Sequence, residues 1–136
     1  SPLAGGFLTG KYRREDTTNA GRLSGANPFG QSKFVDRNWD VLDTLKAVAK
    51  ETDRSPAQVA LRWVMQRPGV ASTLIGVRTA AQLAGNIAAA AFQLSDEQMS
   101  RLNAASAPTP GFTLGLTAPA IRRMVLGGND VSGWRE

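Results

Sequence analysis

The chain has 136 residues, enough for one modest domain, with 42% hydrophobic and 20% charged residues, an ordinary globular balance. It contains no cysteine and no histidine, which excludes a disulfide framework, thiolate chemistry and the commonest general base and metal ligand. The net charge is +5, of which residues 1–37 carry +3 (six basic and three acidic side chains), a distribution that suits a basic rim around an anionic ligand.

Residues 1–12, SPLAGGFLTGKY, read as a glycine-punctuated loop in which Gly5, Gly6 and Gly10 permit positive φ and close approach of backbone to a ligand; a plain strand-to-loop turn is the alternative. Residues 13–37 are polar, rich in Gly, Asn and Thr, and without sustained periodicity. A stretch that long inside a compact domain reads as a functional flap or as disorder. Phe29 and Phe34 either cover a site or anchor this loop. A helix is predicted over residues 38–52, with Trp39, Leu42, Leu45 and Ala49 as its apolar stripe and Val41 and Val48 beside them. Asp40 and Asp43 early and Lys46 and Lys50 late complement its dipole. A second helix is predicted over residues 55–66: Ser55 caps it, Pro56 sits at its first position and Gln58 completes a capping box. Val59, Ala60, Trp63 and Val64 form its buried side, and Arg62 reads as an exposed or buttressing charge.

Pro68-Gly69 breaks that helix, and residues 70–77 are mostly apolar. They read as a strand covered on both faces, as in a parallel sheet. Thr79, with Gln82 three residues on, marks the start of a helix running to Ala91. A helix start within a few residues of a strand's carboxyl end is a natural anion site, and Arg78 beside it carries a planar fork suited to phosphate. Gln82 and Asn86, four apart, share one helix face and suit the polar edge of a purine; a cap alone for Gln82 and a surface position for Asn86 are the alternatives. Ser95 opens one more helix, with Leu94 and Met99 at staple positions. Asp96 and Glu97 suit its dipole and are not an acid/base pair, because adjacent helical residues point apart. Residues 108–136 are broken by Pro and Gly, with a short helix predicted over 120–126 ahead of Gly127-Gly128.

Three blocks in this order, SPLAGGFLTGKY at 1–12, SPAQVALRWV at 55–64 and LIGVRTAAQLAGN at 74–86, resemble the aldo-keto reductases, NADP(H)-dependent oxidoreductases built on a (β/α)8 barrel. The resemblance covers residues 1–107. It implies an α/β chain that is the C-terminal part of such a barrel, from the loop after strand seven through strand eight and two helices, followed by a tail at 108–136 that shapes the substrate pocket or serves as an interface. Phe112, Leu114, Leu116 and Trp134 are the apolar candidates in that tail. It further implies that Ser1, Leu3 and Gly6 border the pyrophosphate, with Lys11 adding a charge. Gly76, Arg78 and Thr79 would hold the adenosine phosphate, Arg78 on the 2′-phosphate, and Gln82 and Asn86 the adenine. Gly85 stands where the family commonly has Glu.

The family's catalytic Asp, Tyr, Lys and His lie on earlier strands, so no catalytic residue is assigned here, and Tyr12 does not match the catalytic Tyr. The implied function is reduction of small aldehydes or ketones by hydride transfer in the complete barrel. The alternatives are an NADP(H)-binding remnant without turnover and a basic nucleic-acid-binding module. The last is disfavoured because no aromatic-basic interleaving is present. No metal is expected. With no cysteine and no bilayer-spanning apolar run, a cytoplasmic protein without membrane contact is expected. An unpaired parallel edge would make residues 1–136 alone oligomeric or poorly folded.

Overall fold

A computed structural model of the chain describes residues 1–15, 23, 31–108 and 119–128. They fall into two compact units, Ser1–Ser106 and Ala107–Glu136. Most of the flap at 13–37, Phe29 included, and the tail residues Phe112, Leu114, Leu116 and Trp134 lie outside the described residues.

The first unit is a helical layer. A 3₁₀ turn at Ala4–Thr9 opens it, and α1 (Asp36–Glu51) and α2 (Pro56–Met65) follow. α3 (Ala80–Ile87) runs into a 3₁₀ turn at Ala88–Ala91, and α4 (Asp96–Ser106) closes the unit. α1 packs against α2 and α4, and α2 packs against α3 and the opening turn.

The α1 stripe read from the sequence is the core: Trp39, Leu42, Leu45, Val48 and Ala49 are buried, together with Val59 and Ala60 of α2, Leu94 and Leu102. Phe7 and Tyr12 enter from the first loop, and four rings meet there. Phe7 and Trp39 lie 4.8 Å apart, Tyr12 and Phe34 5.3 Å, and Phe34 stacks on Trp39 at 5.9 Å. Tilted and offset ring pairs at such separations add to the burial term. Phe34 therefore anchors the loop. Tyr12 is fully buried, and its hydroxyl accepts the Leu23 N–H at 3.1 Å.

The caps explain where the helices begin. At α2 both capping-box bonds form: the Gln58 N–H donates to Ser55 Oγ at 3.2 Å and the Ser55 N–H to Gln58 Oε1 at 3.0 Å. Ser95 and Gln98 make the same pair of bonds at α4. α1 starts two residues earlier than predicted, from Val35, which offers no side-chain cap. Its entry is held instead by Asn38 Nδ2 donating to Lys33 O at 3.0 Å and by Arg14, which reaches Asp36 at 3.3 Å, Asp40 at 3.1 Å and Asp43 at 3.8 Å along one helix face. Gln66 clips α2 to the approach of α4: its Oε1 accepts the Leu94 N–H at 2.8 Å and its Nε2 donates to Leu94 O at 3.2 Å. Arg62 buttresses this clip, donating from Nε to Gln66 Oε1 at 2.8 Å.

Residues 70–77 depart from the sequence reading. They form no strand, and no strand forms among the described residues. Nor is the segment covered: Leu74 is 85% exposed, and Val70, Ile75 and Val77 are exposed too. The α/β expectation of an incomplete barrel is thus not what this layer displays; its described elements are helical. The reason is physical. A parallel strand is defined by its neighbours, and an apolar run without a ladder partner stays an extended, hydrated segment. Thr73 Oγ1 is enclosed within this segment without a hydrogen-bond partner.

In the second unit, α5 (Pro119–Val125) ends on Gly127 and Gly128, both at positive φ, with the Gly128 N–H donating to Arg123 O at 2.7 Å. That is a left-handed helix stop of the kind glycine supplies. Met124 and Val125 are exposed on it.

Candidate functional site

The first of the two predicted turns is built on left-handed backbone. Gly5 and Gly6 stand at φ +70° and +97°, and Gly10 closes the turn at +79°. Side chains are strained in that region, so the loop's path depends on glycine. Ser1 Oγ accepts the Gly5 N–H at 3.1 Å, and Leu3 O accepts the Gly6 N–H at 2.8 Å. Ser1 and Leu3 thus shape the loop through their own oxygen atoms. A Cβ on Gly6 would lie 3.3 Å from Lys11 Cε and Nζ. The missing side chain is what lets Lys11 fold over the loop, with its ammonium 5.0 Å from the Tyr12 ring centre.

The second turn carries Gly76, Arg78, Thr79, Gln82 and Asn86. Thr79 is the N-cap of α3, its Oγ1 accepting the Gln82 N–H at 3.2 Å. The reciprocal bond differs from the predicted box: Gln82 Oε1 accepts from the Arg78 N–H at 2.9 Å, one residue before the cap. The amide oxygen of Gln82 is thereby used locally, and its Nε2 is the end left for a ligand. Arg78 is exposed. α3 also ends earlier than predicted, tightening into the 3₁₀ turn after Ile87. No residue of α3 is buried, and Gly76 and Gly85 face open space.

Among the described residues Arg14, Lys46 and Arg101 have carboxylate partners, while Lys11 and Arg78, like Lys33, Lys50, Arg54, Arg62 and Arg67, do not. Two uncompensated cations, one on a glycine loop and one at a capped helix N-terminus, make a donor set that fits a polyanion. The two turns do not touch directly through any hydrogen bond or ion pair among the described residues. They share α2. A Cβ on Gly10 would lie 3.7 Å from Pro56 Cγ, and Gln58 Nε2 donates to Gly85 O at 3.0 Å.

No group of His, Cys, Asp and Glu side chains able to hold a metal occurs among the described residues. No helix among them is long and apolar enough to cross a membrane. Tyr12, buried and engaged with Leu23, is a packing residue. Sequence reasoning missed the Gln58–Gly85 bond, because nothing local in SPAQ marks a partner 27 residues away.

The profile of the Aldo/keto reductase family matches residues 1–107. An uncharacterized oxidoreductase of Mycobacterium tuberculosis is 39% identical over 106 residues, covering 78% of this chain and 32% of the relative. Protein tas of Escherichia coli is 36% identical over 115 residues, covering 76% of this chain and 30% of the relative. A probable voltage-gated potassium channel subunit beta of Oryza sativa is 33% identical over 91 residues, covering 65% of this chain and 28% of the relative. The matched part of the chain spans about a third of the length of these curated relatives. With the profile running through both turns and all of α1 to α4, the chain belongs to the aldo/keto reductase family, whose fold is a TIM barrel and which typically uses a nicotinamide cofactor.

Proposed function

We propose that this chain is the C-terminal, cofactor-binding part of an NADP(H)-dependent aldo-keto reductase that reduces small aldehydes or ketones by hydride transfer. The observation that carries the reading is Arg78, exposed and without a carboxylate partner beside the capped start of α3. NADP(H) supplies the hydride; what this chain supplies is binding and orientation. In TIM barrels the phosphate site often lies on the loops after strands seven and eight. On this reading Arg78 takes the 2′-phosphate by a charge-assisted contact, a class roughly twice as strong as a neutral hydrogen bond. The N–H groups at the start of α3 and Thr79 add to it. Ser1, Leu3 and Gly6 border the pyrophosphate, with Lys11 contributing a second cation, and Gln82 and Asn86 hold the adenine. Gly76 lets the backbone pass close to the nucleotide. The catalytic groups come from other strands of the barrel. The protein is cytoplasmic, takes no nucleic acid and leaves homo-oligomer formation to surfaces such as the tail.

Titration of NADPH and NADH fluorescence with the intact protein tests this. Arg78→Ala is expected to weaken NADPH far more than NADH; equal losses on both would remove the 2′-phosphate role. A second reading is an interaction subunit that binds NADP(H) without turnover; its support is that one relative is named as a probable channel subunit beta, a name for a part of an assembly. Carbonyl-dependent oxidation of NADPH by the intact protein separates the two.

A further inference from the structure

We propose that Gln58 is a positioning residue for the cofactor helix. Its side-chain amide ties the first turn of α2 to the last turn of α3 and fixes the direction in which Arg78, Gln82 and Asn86 are presented. The inference rests on the nucleotide reading of α3 given above.

α3 needs such a tie. It has eight residues and buries none of them. Isolated helices of that length do not persist in water, so its orientation comes from tertiary contacts. After the helix, Ala89 is buried in the following 3₁₀ turn. Within α3 itself, the hydrogen bond to the layer beneath among the described residues is the one from Gln58 Nε2 to Gly85 O, at 3.0 Å. Gly85 lies in the last turn, where carbonyls run out of intrahelical donors.

Gln58 is suited to the task because its other end is already fixed. Its Oε1 accepts the Ser55 N–H at 3.0 Å, and its own N–H donates to Ser55 Oγ at 3.2 Å. An amide whose oxygen is held in a capping box has a defined direction left for its nitrogen, and that direction meets Gly85. The same turn of α2 presents Pro56 to the first loop, 3.7 Å from where a Cβ on Gly10 would stand. One rigid turn therefore serves as the reference point for both nucleotide-binding turns. Small misplacements of binding groups carry large costs, so a tie remote from the ligand can set affinity.

Two substitutions separate this role from helix capping. Gln58→Glu retains a capping-box acceptor for Ser55 and removes the donor to Gly85. Ser55→Ala removes the cap's side chain and retains that donor. With the intact protein, Gln58→Glu is expected to weaken NADPH and NADH in the same proportion, by about five- to tenfold, the equivalent of one neutral hydrogen bond. It is also expected to speed amide exchange across residues 80–91 without nucleotide, while Ser55→Ala, which keeps the Ser55 N–H on Gln58 Oε1 and the donor on Gly85, changes affinity and exchange there by clearly less. Unchanged exchange in Gln58→Glu, or matching losses in Ser55→Ala, would overturn the tie. If Gln58→Glu speeds exchange but the parent protein binds neither nucleotide, the cofactor reading of α3 falls and the cofactor role of Gln58 falls with it. A loss confined to NADPH, as expected for Arg78→Ala, would overturn positioning in favour of a phosphate contact.

Discussion

Residues 34–64 and residues 70–87 both carry many apolar side chains, yet those side chains end in opposite environments. The first stretch closes on itself: Trp39, Leu42, Leu45, Val48, Val59 and Ala60 are buried against Phe7 and Tyr12. The second stays open: Leu74, Ile75, Val77, Leu83 and Ile87 are exposed, and α3 buries nothing. Hydrophobicity alone does not place a residue inside. An amphipathic helix finds its cover among nearby helices, whereas a parallel strand depends on ladder partners that lie far away in sequence. The open side is also the side that carries Arg78 and the capped start of α3. On the proposed reading, packing falls to the first stretch and binding to the second, with α2 joining them.

The sharpest way to break this comparison is to truncate one leucine on each side. Leu42→Ala is expected to destabilise the chain by about 2–5 kcal/mol, the range for a fully enclosed side chain. Leu74→Ala is expected to stay within about 0.5 kcal/mol, as for an exposed position. Urea melts of the two variants side by side measure it. Comparable losses would mean that residues 70–77 are covered in solution, by a further copy or by the rest of a barrel.

Arg78→Ala comes next in size. Loss of a hydrogen bond to a charged group costs about 1.5–3 kcal/mol, or roughly ten- to a hundredfold in NADPH affinity, with little change for NADH. Thermal unfolding without nucleotide should not move, because Arg78 makes no ion pair among the described residues. A fall in melting temperature would shift Arg78 from the binding side of the comparison to the packing side.

Tyr12→Phe sharpens the closed side. The ring stays, while the Leu23 N–H loses its acceptor at a buried site. The expected loss is about 1–3 kcal/mol, the cost of leaving a buried donor unmatched. A carbonyl-reduction rate per bound nucleotide equal to the parent's would fit Tyr12 as a packing residue; a collapse of that rate with affinity intact would give it a chemical role.

How legible the two sides were follows from the range of the interactions. Both helices of the closed side are written locally: the 3.6-residue stripe of α1 and the Ser55–Gln58 box of α2 lie within a few residues, and both form. The start of α1 was misplaced because its entry is held by Arg14 and Asn38 and not by a residue at the cap. On the open side the apolar run at 70–77 read as a strand because periodicity cannot report whether a partner is present. The candidate site was legible as a type of turn, a capped helix beside an arginine. The use of Gln82 Oε1 by the Arg78 N–H and the reach of Gln58 to Gly85 were not, since each depends on where a flexible amide finds its partner.

The smallest expected effect lies at the far edge of the closed side, where α1 meets α4. Glu51 accepts from Arg101 at 2.7 Å and from Gln98 at 3.3 Å. The hydrogen bond from Arg101, and then that from Gln98, holds its carboxyl below the ordinary value of 4.5. A carboxyl that is more acidic folded than unfolded stabilises the fold above its unfolded value. It loses that contribution as pH falls through the lower, folded value. Glu51→Gln should therefore differ from the parent by a constant amount well above pH 4.5 and converge on it in acid. The pair is substantially exposed, so the difference is small and shrinks with added salt. Denaturant midpoints across that pH range read it directly. A difference that persists unchanged into acid would show that the charge of Glu51 is not its source, because Gln keeps the same stem and changes only the group that meets Arg101 and Gln98.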